Sequence, residues 1–287
     1  MIKRVKRVLA VVLLCFFPLL ALAGDGKLLA TAGLNQLEGS GGGGIVPWAT
    51  LSGYDTREQQ SLSVVATQVN VDDYTLAVWG GSVSLYDRIE LSLVQQRFDL
   101  KTFGGEIRQN VAGLKARLWG DVVYGSLPQF AFGMQYKTLL DKGVAQALGA
   151  KNSNAGTDFY LAATKVHLGA VAGYNLVWNL ALRASKANQL GLLGYGGDKD
   201  DQYAALVEGS VGVLLSRHLA IGAEFRQKPD NLSVAKEDHW RDLFVTYIPN
   251  KNVSLTLAWA DLGHVVDGVA GDGQQRGLYA SLSANLW

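Results

Sequence analysis

Cysteine is nearly missing from this 287-residue chain; its one copy, Cys15, lies in an apolar run near the N-terminus. Everything after it can form no disulfide, thiolate nucleophile or cysteine metal site. Leu14 stands before Cys15 where a lipoprotein signal needs a small residue, which argues against a lipid anchor. Proline is scarce, and no Pro- or Ser-rich linker interrupts the chain, so one domain is expected. Long hydrophobic runs are absent after Ala23: none approaches ~18 residues, which excludes helical membrane spans. There is no basic stripe and no recognition motif, so nucleic acid is not an expected partner. The four histidines, His167, His218, His239 and His264, are far apart and form no helical pair. Structural or interfacial roles are expected of them, with no metal and no cofactor.

The N-terminus reads as an export signal. Lys3, Arg4, Lys6 and Arg7 open it, an apolar run from Val8 to Leu20 follows, and Ala21-Leu22-Ala23 supplies small residues at a cleavage site. The expected cut between Ala23 and Gly24 leaves 264 residues, with 22 basic and 25 acidic side chains and a net charge of −3.

The remaining chain is rich in glycine, with tyrosine, tryptophan and phenylalanine spread along its length, and it alternates in polarity with period two. Ala112, Leu114, Ala116 and Leu118 share one face while Lys115 and Arg117 take the other. Phe130, Phe132, Met134 and Tyr136 oppose Gln129, Gln135 and Lys137. Leu176, Trp178, Leu180 and Leu182 oppose Asn179, Arg183 and Ser185. Similar phases set Glu208, Glu224, Arg226 and Lys228 against Val207, Ile221 and Phe225, and Ser281 and Ser283 against Leu278 and Leu282. A soluble sandwich would alternate likewise. Three features favour a barrel in lipid. The segments are near the ~9–11 residues that cross a bilayer. Aromatic residues (Tyr136, Tyr203, Phe225, Trp259) sit at the ends of apolar faces, and connections alternate tight (86–88, 216–218, 249–251) with long (99–110, 139–156, 187–201, 229–238, 262–275).

The expected fold is therefore all-β: an antiparallel transmembrane β-barrel of fourteen strands, counting 28–34 and 45–54. Starting instead at 60–70 gives twelve, with 24–59 as a plug or periplasmic lead; both counts are even. Alternation is blurred in 61–70, 74–85, 157–168 and 239–249. The strand 277–287 is expected to close the barrel, with Leu286 toward lipid and Trp287 at the periplasmic interface.

Charged residues on the polar faces carry the functional reading. On a lipid face each would cost ~2–4 kcal/mol at the midplane. Lys115, Arg117, Lys137, Arg183, Glu208, Glu224 and Arg226 are therefore pore-lining candidates, with Glu90 and Lys228 beside them. They line a water-filled pore or pair across a closed lumen. Gly41-Gly42-Gly43-Gly44 lacks the Gly-Lys-Ser/Thr of a phosphate loop and reads as a flexible or lumen-packed turn. Asp198, Asp200 and Asp201, and Asp267 with Asp272, fit no calcium-loop template and read as solvated loop tips. No Gly-x-Ser-x-Gly is present, and Ser216-Arg217-His218 is explained by a tight turn, so an enzyme is not expected.

Several stretches resemble a proteobacterial outer-membrane family, the "domain of unknown function 3034" group. They are Gln36-Leu37-Glu38-Gly39 with Pro47-Trp48-Ala49, Asp87-Arg88-Ile89-Glu90 with Gln96-Arg97-Phe98, and Lys186-Ala187-Asn188-Gln189 with Gly194. The resemblance implies an outer-membrane location and a barrel, and carries over no functional residue. The expectation is a passive channel or small-solute porin in the outer membrane of a Gram-negative cell. Its partners would be outer-membrane lipid, lipopolysaccharide and the barrel-assembly machinery. The alternatives are a closed barrel with a structural, adhesive or hydrophobic-ligand uptake role and, behind it, a lipid-modifying enzyme.

Overall fold

Where polarity alternates, the chain pairs into one continuous antiparallel wall. The computed structural model describes residues 27–32, 34–101, 104–234, 236–265 and 273–286. The expected export signal with Cys15, the loop carboxylates Asp267 and Asp272, and Trp287 lie outside them. Two two-residue strands come first, β1 (Leu34–Asn35) and β2 (Gly41–Gly42). The wall follows: β3 (Gln60–Val71), β4 (Tyr74–Leu85), β5 (Ile89–Leu100), β6 (Glu106–Arg117), β7 (Gln129–Leu139), β8 (Ala155–Val171), β9 (Tyr174–Ser185), β10 (Ala204–Leu214), β11 (Leu219–Arg226), β12 (Trp240–Asn250), β13 (Val253–Asp261) and β14 (Arg276–Asn285). Each strand pairs with its neighbours in sequence, and β14 closes on β3 from Gly277↔Val71 to Asn285↔Ser63. Closure satisfies both edges, the one arrangement in which a sheet tolerates hydrocarbon on its rim.

The count of fourteen does not hold: the closed wall has twelve strands. Residues 34–55 enter the lumen instead of widening the wall, and nearly all of them are buried. Their backbone pairs within the insert, in the short β1–β2 ribbon, the Gly42↔Pro47 bridge and turn bonds such as Leu37 N–H to the Gly44 carbonyl. Glycine permits the fit. A Cβ on Gly43 would stand 1.8 Å from the Glu224 carboxylate, so the run packs as a turn against the wall.

Outward side chains form an apolar belt in which Leu93, Leu243 and Leu278 are 64, 63 and 68 % exposed. Tyr86, Trp119, Tyr124, Tyr174 and Tyr247 edge the belt at the end with mostly short turns. Tyr136, Tyr203, Phe225 and Trp259 edge it at the end with long loops, one of which carries the helix α1 (Gly143–Ala147). The blurred segments are wall strands too. In β3 and β4 the inner face is partly apolar, because Val65, Val69, Leu76 and Val78 pack on Leu37, Ile45 and Val46 of the insert beside buried Ser61, Ser63, Thr67, Ser82 and Ser84.

One outward lysine of the wall is sheltered from its surroundings. Lys165 alternates with the inward Thr164 and Val166, yet it is buried. The connection between β6 and β7 folds over it, and its ammonium donates to the carbonyls of Asp121, Tyr124, Gly125 and Leu127 at 2.8–3.4 Å. Four acceptors replace the water that an apolar belt would deny it.

Candidate functional site

Inside the barrel, strand alternation aims polar side chains at the insert, and these side chains take the place of sheet partners for its backbone. Glu38 is the centre. Its carboxylate meets Arg226 at 2.7 Å, Arg183 at 3.5 Å and Lys137 in a short contact, with all four side chains almost wholly buried. Asp158 pairs with Lys137 at 2.6 Å and with Arg183 at 3.2 Å, while Glu208 pairs with Arg183 at 2.6 Å and with Arg226 at 3.1 Å. Three cations therefore face three carboxylates. Gln135 accepts from Arg183 at 2.7 Å, and Ser185 donates to Asp158 at 2.6 Å. Burial alone would raise the Glu38 carboxyl, but Arg226, Lys137 and Arg183 hold it well below the usual range, so it stays ionised.

Two further carboxylates grip the backbone of the insert. Glu90 accepts from Gly41 N–H at 2.9 Å and from Ser52 N–H at 2.6 Å, and Lys115 donates to the carbonyls of Gly41 and Thr50 at 2.5 and 2.9 Å. Glu224 accepts from the N–H groups of Gly44 and Ile45 at 2.6 and 2.7 Å, and from the Ser210 hydroxyl at 2.7 Å. Neutral groups complete the seal. Thr164 accepts from Ala49 N–H, while Gln129, Asn179 and Gln96 donate to the carbonyls of Ala49, Pro47 and Leu37.

A second obstruction descends from the long-loop end. Residues 187–196, between β9 and β10, are all buried, and Leu190, Leu192 and Leu193 join Leu37, Ile45 and Val46 in one apolar cluster. Gln189 and Leu190 hold left-handed φ of 44° and 63°, strained for residues with a Cβ and fixed here by their surroundings. Glu237 accepts from Gln189 N–H at 3.0 and 3.1 Å, and Lys228 donates to the Gln189 side-chain oxygen at 2.7 Å. Burial pushes the Glu237 carboxyl up to about 7, against the pull of Lys228 at 3.5 Å. Burial likewise pushes the Lys228 ammonium down to about 8, with Glu237 opposing.

The candidates read from sequence thus fall into two places. Lys115, Lys137, Arg183, Glu208, Glu224 and Arg226 point into the lumen, where they are buried against the insert or one another. Arg117 stands apart at the short-turn mouth, paired with Asp87 and, at 3.5 Å, with Asp121. Glu38 and Asp158 escaped the reading. Glu38 lies in a stretch with no strand pattern, and Asp158 in a strand whose alternation is blurred. Of the stretches that carry the family resemblance, Glu38, Glu90, Gln96 and Gln189 all converge in this lumen.

Elsewhere, Trp178 donates to His167 at 2.9 Å, His218 meets the Ile248 carbonyl, His264 meets Asp238 and His239 lies edge-on to Phe225. The Ser216 hydroxyl oxygen accepts the backbone N–H of His218, as a tight turn requires. Asp198 accepts from Ser233, and Asp201 pairs with Lys186. Among the described residues no three His, Cys, Asp or Glu gather to hold a metal ion.

Comparison with known proteins finds no match among curated sequences. Solved structures with a similar trace include the Acinetobacter baumannii outer membrane protein Omp33 (9 % identity, 80 % of this chain and 99 % of that one, TM-score 0.47) and the NanC porin (9 %, 78 % and 98 %, 0.49). The KdgM porin is similar to the same degree (10 %, 77 % and 98 %, 0.47). Likeness at this level assigns no activity to the present chain. A family model matches residues 31–283, and the chain belongs to that family, described as "Protein of unknown function (DUF3034)".

Proposed function

We propose that the protein is an outer-membrane channel held shut by its own N-terminal segment. The apolar belt with aromatic residues at both edges supports the membrane location, since water would penalise so large a contiguous apolar surface. One observation carries the channel reading: around Glu38, Glu90 and Glu224 the insert and the wall meet through charges and hydrogen bonds. A permanently filled lumen gains more from apolar packing than from buried ion pairs. A displaceable insert needs surfaces that tolerate water on both sides, and these do.

A second reading, the closed barrel, is favoured by a different observation: Leu37, Ile45 and Val46 are packed with Leu190, Leu192 and wall residues in an apolar cluster. Planar-bilayer conductance separates the two. The refolded chain from Gly24 onward is expected to be silent for long periods, and deletion of residues 34–55 should give stable current steps. If the deletion variant keeps the heat-modifiable migration of a folded barrel and still passes no current, the channel reading fails and the closed barrel stands. Cleavage after Ala23 belongs to the same proposal; intact mass of membrane-extracted protein should correspond to residues 24–287, and retained residues 1–23 would refute it.

A further inference from the structure

The outer face of the wall carries four arginines near the long-loop end, and they are not equivalent. Arg97 and Arg108 have two carboxylates between them: Asp141 holds Arg108 at 2.8 and 2.9 Å, and Glu106 pairs with Arg97 and lies 3.7 Å from Arg108. Arg241 and Arg276 must share one: Asp261 meets Arg276 at 3.1 Å and Arg241 at 3.5 Å. The strands dictate this, because register sets Arg241 opposite Asp261 and Asp261 opposite Arg276 across β12, β13 and β14. Asp261 is buried, its other oxygen accepts from Gly263 N–H, and it steers both arginines by their Nε atoms. The guanidinium side chains themselves are 65 and 47 % exposed. Among the described residues, this pair carries one positive charge in excess.

The next rung toward the middle of the belt is Ala223, Leu243, Trp259 and Leu278, again aligned by register. The small Ala223 leaves a groove of about 430 Å³ between Leu243, Trp259 and the two arginines. Glu224 and Asp242 also border it, with side chains turned into the lumen. Arg276 lies over the Trp259 ring at 5.8 Å and also contacts Gln274. The site therefore offers two guanidiniums at the height of lipid headgroups, with an apolar groove beneath.

We infer that this groove binds the phosphomonoester headgroup of an outer-leaflet lipid, with phosphate on Arg241 and Arg276 and acyl chain over Leu243, Trp259 and Leu278. A phosphomonoester carries about −1.5 to −2 charge and matches the planar guanidinium fork, which explains why one carboxylate is shared here where two would neutralise the pair. The inference rests on the membrane location proposed above.

Native mass spectrometry of the detergent-refolded chain with diphosphoryl lipid A tests it. Wild type should retain one lipid per barrel. R241Q/R276Q should lose retention by at least about tenfold, the consequence of removing both charge-assisted contacts to the phosphate. R97Q/R108Q, which removes the two arginines already matched by two carboxylates, should retain the lipid as wild type does. Millimolar inorganic phosphate should leave retention unchanged; if it displaces the lipid, the site is one for free phosphate and the lipid assignment is overturned. Equal retention by R241Q/R276Q in a heat-modifiable barrel that inserts into vesicles overturns the site while leaving the membrane reading intact. Failure of the wild-type chain to insert overturns both.

Discussion

Glu38 is the side chain on which the lumen depends most, because its removal leaves Lys137, Arg183 and Arg226 facing only Asp158 and Glu208. Breaking a buried ion pair from one side strands the opposite charge and typically costs ~3–5 kcal/mol. Glu38→Gln keeps the shape and removes the charge. It is expected to lower the urea midpoint of heat-modifiable migration and to raise the fraction of time spent conducting. An unchanged midpoint would show that the ion cluster holds nothing. Lys165 gives the second test at this scale. Lys165→Met suits the apolar belt better but leaves the carbonyls of Asp121, Tyr124, Gly125 and Leu127 without their donor, at ~1–3 kcal/mol for a buried acceptor left unpaired. Limited proteolysis should cut within 119–128 in the variant and spare wild type.

Among the elements, the loop 187–196 is the one whose closure should respond to pH. With the loop open, Glu237 returns to an ordinary carboxylate range near 4.5; closed, it sits at about 7. The closed state thus holds the proton more tightly, and proton uptake stabilises closure. That contribution is complete below about pH 4.5 and is lost as the pH rises to about 7, while Lys228, at about 8, remains protonated throughout. Hydrogen exchange in 187–196, corrected for intrinsic rates, should slow several-fold from pH 7 to pH 5. Glu237→Gln should abolish that dependence, and a slope retained in this variant would move the titration elsewhere. Strands were readable from sequence where one face must suit lipid and the other carries charge, as in β6, β7, β9 and β11. They were blurred in β3 and β4, where part of the inner face meets Leu37 and Ile45 and is apolar, and small hydroxyl residues fill the rest. Segments 28–34 and 45–54 have the length of short strands, which is how fourteen came to be counted. What excludes 45–54 from the wall is that Glu90, Glu224 and Thr164 bind its backbone from distant positions, a relation that no local pattern reveals.

For the whole molecule, closure is the decisive property. β14 supplies one side of the β14–β3 seam, and Leu286 N–H still reaches the Leu62 carbonyl beyond it. Deleting residues 277–287 would leave β13 and β3 with unpaired edges, each unsatisfied group costing several kcal/mol in hydrocarbon. Heat-modifiable migration and insertion into vesicles should both disappear; a deletion variant that still inserts as a folded species would contradict the seam. The inward charges were legible as inward, while their burial was one of two readings, because the sequence left 24–59 open between two wall strands and a plug.

The insert leaves the lumen by the mouth through which it enters. Lys27 meets Asp55 and Asp87 there, and the Ala30 N–H reaches the Tyr54 hydroxyl, so both ends of the hairpin stand side by side. Mechanically this makes the closure one-sided. A pull on the leading end from that mouth loads the contacts in succession, beginning with Lys27, and each yields before the next is strained. A push from the opposite mouth meets the 187–196 loop first and then bears on Glu38, Glu90 and Glu224 together. The same bonds thus form a zipper in one direction and a bolt in the other.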